Sequence, residues 1–271
     1  MTQHALKKTS KERSPLTEEQ ILFYRENGYL IVNDVFTAEE ARTYNQYIRR
    51  HANRDFAAII NPDRYEDLHT QDERVKSDLT IEEIQETVEF SQYVMKHPDI
   101  VAILERLQEK EVIGLSSQFI FKEALSSYSS QAWLPHQDGW YPGDKKGEYI
   151  TINWFLRDTD VENGTIYVYP GSNKVGLQDA SPRKSFREDP GSNPGSDCEI
   201  PEEYLDKKTD VIIPGNSVVI LHGHCIHGSY PNNSNRSRPW YSCCYITKGE
   251  DYLVGKNAKR KEIHLKKDKR L

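Results

Sequence analysis

Leu134-Pro135-His136-Gln137-Asp138-Gly139-Trp140-Tyr141 is the stretch around which the chain is organised, because of the His136-x-Asp138 pair at its centre. Side chains on an extended segment alternate with a period of two, so an imidazole and a carboxylate two residues apart point to the same side. Together they can grip one metal ion. A third protein ligand from elsewhere would complete a 2-His-1-carboxylate face with the other positions open, which suits non-haem Fe(II) that must also hold a cosubstrate and oxygen. The pair alone does not decide the matter, since His-x-Asp also fits a surface turn with a hydrogen-bonded histidine.

The rest of the chain sets the bounds. With 271 residues and 36% hydrophobic content it can bury a full-sized core, most simply as one domain with elaborations. Its 36 Lys and Arg stand against 42 Asp and Glu, so nothing global favours a polyanionic partner and nucleic acid is disfavoured. No apolar run approaches bilayer length, and the opening MTQHALKKTSKERSPL lacks the hydrophobic centre of a signal peptide; the expectation is no membrane contact and a cytoplasmic location. Cys198, Cys225, Cys243 and Cys244 show no C-x-x-C spacing and read as reduced packing residues. Oligomeric state is not legible.

Residues 1–15 are polar and basic and read as a disordered tail, and the charged residues 256–271 read as a second tail. Between them a single domain is expected over 16–255, with a helical part at 16–110 and a β core at 111–250. Thr17-Glu18-Glu19-Gln20 fits a capping box, opening a helix that should stop at Gly28. YLIVNDV (29–35) is β-prone, and Thr37-Ala38-Glu39-Glu40 repeats the capping box before a second helix. Residues 53–79 read as a charged loop, and Thr80 opens a stretch with Ile81, Ile84 and Val88 at helical spacing. Pro98 precedes a helix expected over 99–110, with Ile100, Ile103, Leu104 and Leu107 as its apolar stripe.

From residue 111 the texture changes to short β-like runs separated by turn residues, the pattern of a sandwich or barrel. The clearest strands are QFIFK (118–122), ITINWFL (150–156), TIYVY (165–169), residues 211–213, SVVIL (217–221) and WYSCCYI (240–246). Ile150, Ile152, Trp154 and Leu156 share one face. Residues 178–209 interrupt the pattern with Pro, Gly, Ser and charge and read as an inserted loop; this loop and 53–79 are candidate lids.

The second informative stretch, His222-Gly223-His224-Cys225-Ile226-His227-Gly228-Ser229, follows SVVIL directly. Spacing does not choose among its three histidines, because Gly223 and Gly228 permit bulges that reset the register. Taken with TEEQILFYRENGYLIVNDVF, LPHQDGWY, ENGTIYVYPGSN and HCIHGSYPNNSNRSRP, the chain resembles the phytanoyl-CoA dioxygenase family from Leu16 onward. That resemblance implies a mainly β fold with flanking helices, a double-stranded β-helix of the jelly-roll, cupin-like kind. It implies His227 of His-Gly-Ser as the distal metal ligand beside His136 and Asp138. It further implies Arg238 and Ser229 at the distal carboxylate of 2-oxoglutarate, and Trp154 as an aromatic lining the cosubstrate pocket. His222 and His224 have no ligand counterpart and read as supporting or strand-packing residues.

Guanidinium geometry points to the same use of Arg238, since two parallel donors hold a carboxylate in one orientation. Arg238 heads a strand expected to pair beside the one carrying His227. Arg236 is the rival, reading better as a solvated turn arginine. Lys122 either meets cosubstrate or substrate or faces outward. The implied activity is Fe(II)- and 2-oxoglutarate-dependent dioxygenation: with O2, hydroxylation of a small-molecule C–H bond and release of succinate and CO2. Two other classes fit part of the pattern: a catalytically silent metal and 2-oxoglutarate sensor, and a cupin-type metal-dependent hydrolase or isomerase that needs no Arg238. The substrate itself is not written in these motifs.

Overall fold

The structure, a computed structural model, describes residues 16–52, 92–125, 129, 132–182, 196–255 and 260–265. The tail at 1–15, the charged loop at 53–79 and the helix expected from Thr80 lie outside the described residues.

Both capping boxes form. The Thr17 hydroxyl accepts from the Gln20 amide at 3.2 Å while Gln20 Oε1 accepts from the Thr17 amide at 2.9 Å, opening α1 (Glu18–Asn27). Gly28 closes that helix in the left-handed region, at φ 75°, where a side chain would be strained. The same reciprocal pair between Thr37 and Glu40 opens α2 (Ala38–Ala52). α3 (Pro98–Gln108) buries the expected stripe of Ile100, Ile103, Leu104 and Leu107 and ends two residues before the expected position, at a left-handed Glu109.

The strands are β1 (Tyr29–Asn33), β2 (Val112–Lys122), β3 (Trp133–His136), β4 (Tyr149–Phe155), β5 (Ile166–Val168), β6 (Ala180–Pro182), β7 (Ser196–Cys198), β8 (Thr209–Asp210), β9 (Ser217–His222), β10 (His227–Ser229) and β11 (Arg238–Thr247). A five-stranded sheet runs β1-β9-β4-β11-β2 and a four-stranded sheet β3-β10-β5-β8, with every pairing antiparallel. Tyr29, Ile120, Phe155, Ile166, Val168, Val219, Leu221 and Trp240 form a core drawn from both sheets. On its other face the larger sheet carries Ile150, Ile152, Trp154, Val218, Tyr241 and Tyr245, which pack with Ile21, Tyr24, Ile100 and Leu104 of the helices. The result is three layers: helices, large sheet, small sheet. This is the jelly-roll fold expected from the sequence. No helix among the described residues is long and apolar enough to cross a membrane.

Five expectations need correction. Trp154 does share a face with Ile150, Ile152 and Leu156, but it is the face toward the helices: its ring stacks on Phe36 at 3.9 Å, meets Tyr44 edge-on and donates to Asn216 Oδ1 at 3.0 Å. The alternate positions Thr151, Asn153 and Phe155 face the other sheet, and Asn153 accepts from Trp240 there. β11 does not pair with β10; it lies between β4 and β2 in the opposing sheet, so Arg238 reaches the interior across the sandwich. The segment read as an inserted loop contains the β6-β7 ladder, and the strand expected at 211–213 is displaced to β8, leaving Val211 and Ile213 as buried core residues. Within the expected C-terminal tail, Ile263 exchanges backbone hydrogen bonds of 3.0 and 2.8 Å with Gly114.

The stacked position of Trp154 makes it a stability residue. Trp154→Ala is expected to cost about 3–5 kcal/mol in denaturant unfolding, and Trp154→Phe much less. The Phe variant should bind 2-oxoglutarate within about twofold of the parent; a loss of a decade or more would return Trp154 to the cosubstrate pocket.

Candidate metal centre

Pairing brings the histidines together. His136 ends β3 and His227 opens β10, and the two are direct partners in the antiparallel ladder. Side chains of directly opposed residues share a face, and the ring centroids lie 4.3 Å apart. Gly228 permits this approach: a β-carbon there would sit 2.6 Å from the Trp133 carbonyl oxygen and 2.4 Å from the Tyr167 hydroxyl.

Asp138 follows at the start of a short turn, Asp138–Trp140, held down by the Gly139 amide donating to the Gly223 carbonyl at 2.8 Å. Its carboxylate oxygens lie 3.5 Å from His136 Nε2 and 3.7 Å from His227 Nε2. One donor atom from each residue falls within 4.8 Å of the others. His136 Nδ1 meets the Leu134 carbonyl at 2.7 Å and His227 Nδ1 the Cys225 carbonyl at 3.0 Å. A carbonyl can only accept, so each Nδ1 carries the proton and each Nε2 lone pair points to the common centre. Burial pushes the His227 imidazole down to about 4, keeping it neutral. Burial alone would raise the Asp138 carboxyl, but the two histidines outweigh it and hold the group below the usual carboxylate range. Two imidazoles and one carboxylate converging within 4.8 Å fit a divalent first-row metal such as Fe(II).

Of the residues that brace this donor set, His222 and His224 take the supporting place expected of them, whereas Gln137 was not singled out by motif reading. Gln137 points the opposite way from its neighbours, donating to the carbonyls of Gly176 at 2.8 Å and His224 at 2.7 Å and accepting from the Gln178 amide at 2.7 Å. Asp144 accepts from the amides of Lys146, Gly147 and Tyr149, and His224 Nε2 meets the Asp144 carbonyl at 2.8 Å. His224 is thus a clamp on the loop that carries Asp138. His222 accepts from the His224 amide at 3.0 Å, and burial pushes its imidazole down to about 4. The run Pro142 to Lys146, whose sequence position suggested a substrate-side border, holds Asp144 as the acceptor that ties its own turn; Gln137 had no sequence signal.

Lys122, Ser229 and Arg238 also meet inside the sandwich. Lys122 and Arg238 are direct partners across β2 and β11, and both are wholly buried. Lys122 Nζ donates to Ser229 Oγ at 2.8 Å and to the Tyr230 carbonyl. Arg238 Nε donates to the Asn163 carbonyl at 3.3 Å, and its guanidinium lies 4.2 Å from the Trp240 ring centre. Burial, then the Arg238 charge, pulls the Lys122 ammonium well below its ordinary value. Arg236 is half-exposed and pairs with Asp160 at 2.7 Å and Glu162 at 3.6 Å, at the surface.

Fold and site together define a double-stranded β-helix protein with a two-histidine, one-carboxylate centre. The family model of phytanoyl-CoA dioxygenase matches residues 24–240, and the chain belongs to that family. The peroxisomal phytanoyl-CoA dioxygenase of Bos taurus is 22% identical over 258 residues, covering 94% of this chain and 75% of its own. Among solved structures, the non-heme alpha ketoglutarate dependent epimerase SnoN from nogalamycin biosynthesis is similar with a TM-score of 0.61 at 20% identity, covering 85% of this chain and 82% of its own. EctD from S. alaskensis, solved with 2-oxoglutarate and 5-hydroxyectoine, gives 0.60 at 15% identity, covering 88% and 79%. At such identities the structural likeness is one of fold.

The geometry distinguishes the three converging donors from the side chains that brace them. His136→Ala, Asp138→Ala and His227→Ala should each abolish Co(II) or Fe(II) binding by calorimetry. His224→Ala should retain the metal while losing roughly 1–3 kcal/mol of stability through its clamp. An unchanged metal affinity in His227→Ala would pass the ligand role to His222 or His224.

Proposed function

We propose that the protein is a non-haem Fe(II)/2-oxoglutarate-dependent oxygenase that hydroxylates an unactivated C–H bond of a small-molecule metabolite, releasing succinate and CO2. The observation that carries this reading is the pairing, within one sandwich, of the His136-Asp138-His227 donor set with the buried Lys122-Ser229-Arg238 cluster. Bound iron and 2-oxoglutarate supply the oxidising chemistry, coupling decarboxylation of the cosubstrate to oxidation of the substrate by O2. The protein's residues orient and exclude water. His136, Asp138 and His227 hold the metal on one face only, leaving the other face for cosubstrate and oxygen. Asp138 fills with its own carboxylate a position that would otherwise admit an exogenous anion. Arg238 and Lys122 bring two positive charges to one buried spot, where a carboxylate relieves their mutual repulsion, and Ser229 adds a hydroxyl at the same point. Family membership and the fold shared with 2-oxoglutarate-dependent proteins support the cofactor set.

Removing one partner of a buried charge-assisted contact costs on the order of 2–5 kcal/mol, so Arg238→Ala should raise the apparent constant for 2-oxoglutarate by a decade or more. Arg236→Ala should leave it unchanged, since that side chain is engaged with surface carboxylates. The assay is succinate release against a small-molecule panel, followed by mass spectrometry of products formed under isotopically labelled oxygen gas. One added labelled oxygen is expected. Succinate formed with an isomerised, oxygen-free product would retain the cosubstrate reading and remove hydroxylation; no succinate from any substrate would favour the sensor or hydrolase.

A further inference from the structure

The inner wall beside His136 carries a polar group that neither metal binding nor the Lys122-Ser229-Arg238 cluster uses, the indole N–H of Trp133. A register shift in the β3-β10 ladder sets its direction: His136 pairs with His227 and Trp133 with Ser229, so an interval of three residues on β3 spans an interval of two on β10. Opposed residues share a face. Trp133 therefore joins His136, His227 and Ser229 on the inner face despite its odd spacing from His136, and its ring centroid lies 5.7 Å from that of His136. Tyr141 stands on the same imidazole from another side, at 6.2 Å.

Trp133 Nε1 is closed off from water and meets no acceptor among the described residues. The two indoles inside the fold that serve structure are not left this way: Trp154 donates to Asn216 Oδ1 at 3.0 Å and Trp240 to Asn153 Oδ1 at 3.1 Å. A buried donor without an acceptor destabilises the folded state, and such groups mark places where a ligand completes the hydrogen-bonding. The step along β10 from His227 at the metal to Ser229 at the Lys122 ammonium is two residues, about 7 Å. That is the span a five-carbon dicarboxylate must cross if one end sits on the metal and the other on the cationic cluster, and Trp133 lies along it.

We infer that Trp133 is a cosubstrate-binding residue whose indole N–H donates to a carboxylate oxygen of bound 2-oxoglutarate. This rests on the cosubstrate reading proposed above and adds a contact to it. Because the nitrogen is shut off from water, a small rotation of the indole accompanies the contact. The bond formed is a neutral-donor to anion hydrogen bond in a low-dielectric interior, stronger than its counterpart in water.

The test uses the full chain loaded with Zn(II), which is diamagnetic, and carrying 15N in its tryptophan indoles. The Trp133 signal is assigned as the one missing from Trp133→Phe. On titration with 2-oxoglutarate that signal should move downfield, while that of Trp154, bonded to Asn216 on the helical side of the large sheet, stays in place. Trp133→Phe should bind 2-oxoglutarate about tenfold more weakly, with unchanged Zn(II) affinity and melting temperature. Saturable 2-oxoglutarate binding with an unmoved Trp133 signal would overturn this inference and leave the cosubstrate reading standing, as would undiminished affinity in Trp133→Phe. Absence of 2-oxoglutarate binding in the metal-loaded protein would overturn both.

Discussion

Two imidazoles carried on neighbouring antiparallel strands can share one ion only if their strands pair in the right register, and the His136–His227 partnership is the constraint on which the site depends. A slip of one residue on either strand would turn one ring to the opposite face. The surrounding structure is arranged to prevent that slip. Gln137 ties the segment between the ligands to the carbonyls of Gly176 and His224, Asp144 fixes the turn that follows, and Gly228 lets β10 lie against Trp133 and Tyr167 without a clash.

The interior of the sandwich is divided along its length. Beside Asp138, burial raises the Cys244 thiol and the Asp138 charge raises it further, so the thiol stays protonated. At the head of the same strand Arg238 faces Lys122, and both are fully buried. Two buried cationic side chains are a cost that hydrophobic packing alone would not retain; the cosubstrate role proposed for them would offset it. The helical layer contributes from outside, where Phe36 and Tyr44 pack on Trp154 and brace the back of the large sheet.

Much of this was legible in the residues. The capping boxes at Thr17 and Thr37 are local, needing only four residues each, and both formed where their motifs stand. The stripe of α3 followed from helical period alone. His136 and Asp138 could be placed on one side from their spacing, but joining them to His227 and not to His222 or His224 required the family resemblance. What failed was long-range. Alternation placed Trp154 with Ile150 and Ile152 without saying which layer that face meets, and the motif-based role pointed it inward. Arg238 was expected beside His227 in one sheet because pairing partners are not encoded in either strand's own residues. The β3-β10 register shift that turns Trp133 inward has no signal in Trp133-Leu134-Pro135, and the pairing of Ile263 with Gly114 spans most of the chain.

The central claim is that the three converging donors and the buried cations form one site for Fe(II) and 2-oxoglutarate together. The most direct measurement is the visible absorption of the anaerobic protein as the two are added separately and then jointly. A charge-transfer band is predicted only when both are present, saturating at one equivalent of each, because chelation of the metal by the 2-oxo acid requires the open face that His136, Asp138 and His227 leave. Well-folded protein that binds Fe(II) yet develops no band with saturating 2-oxoglutarate would contradict the account.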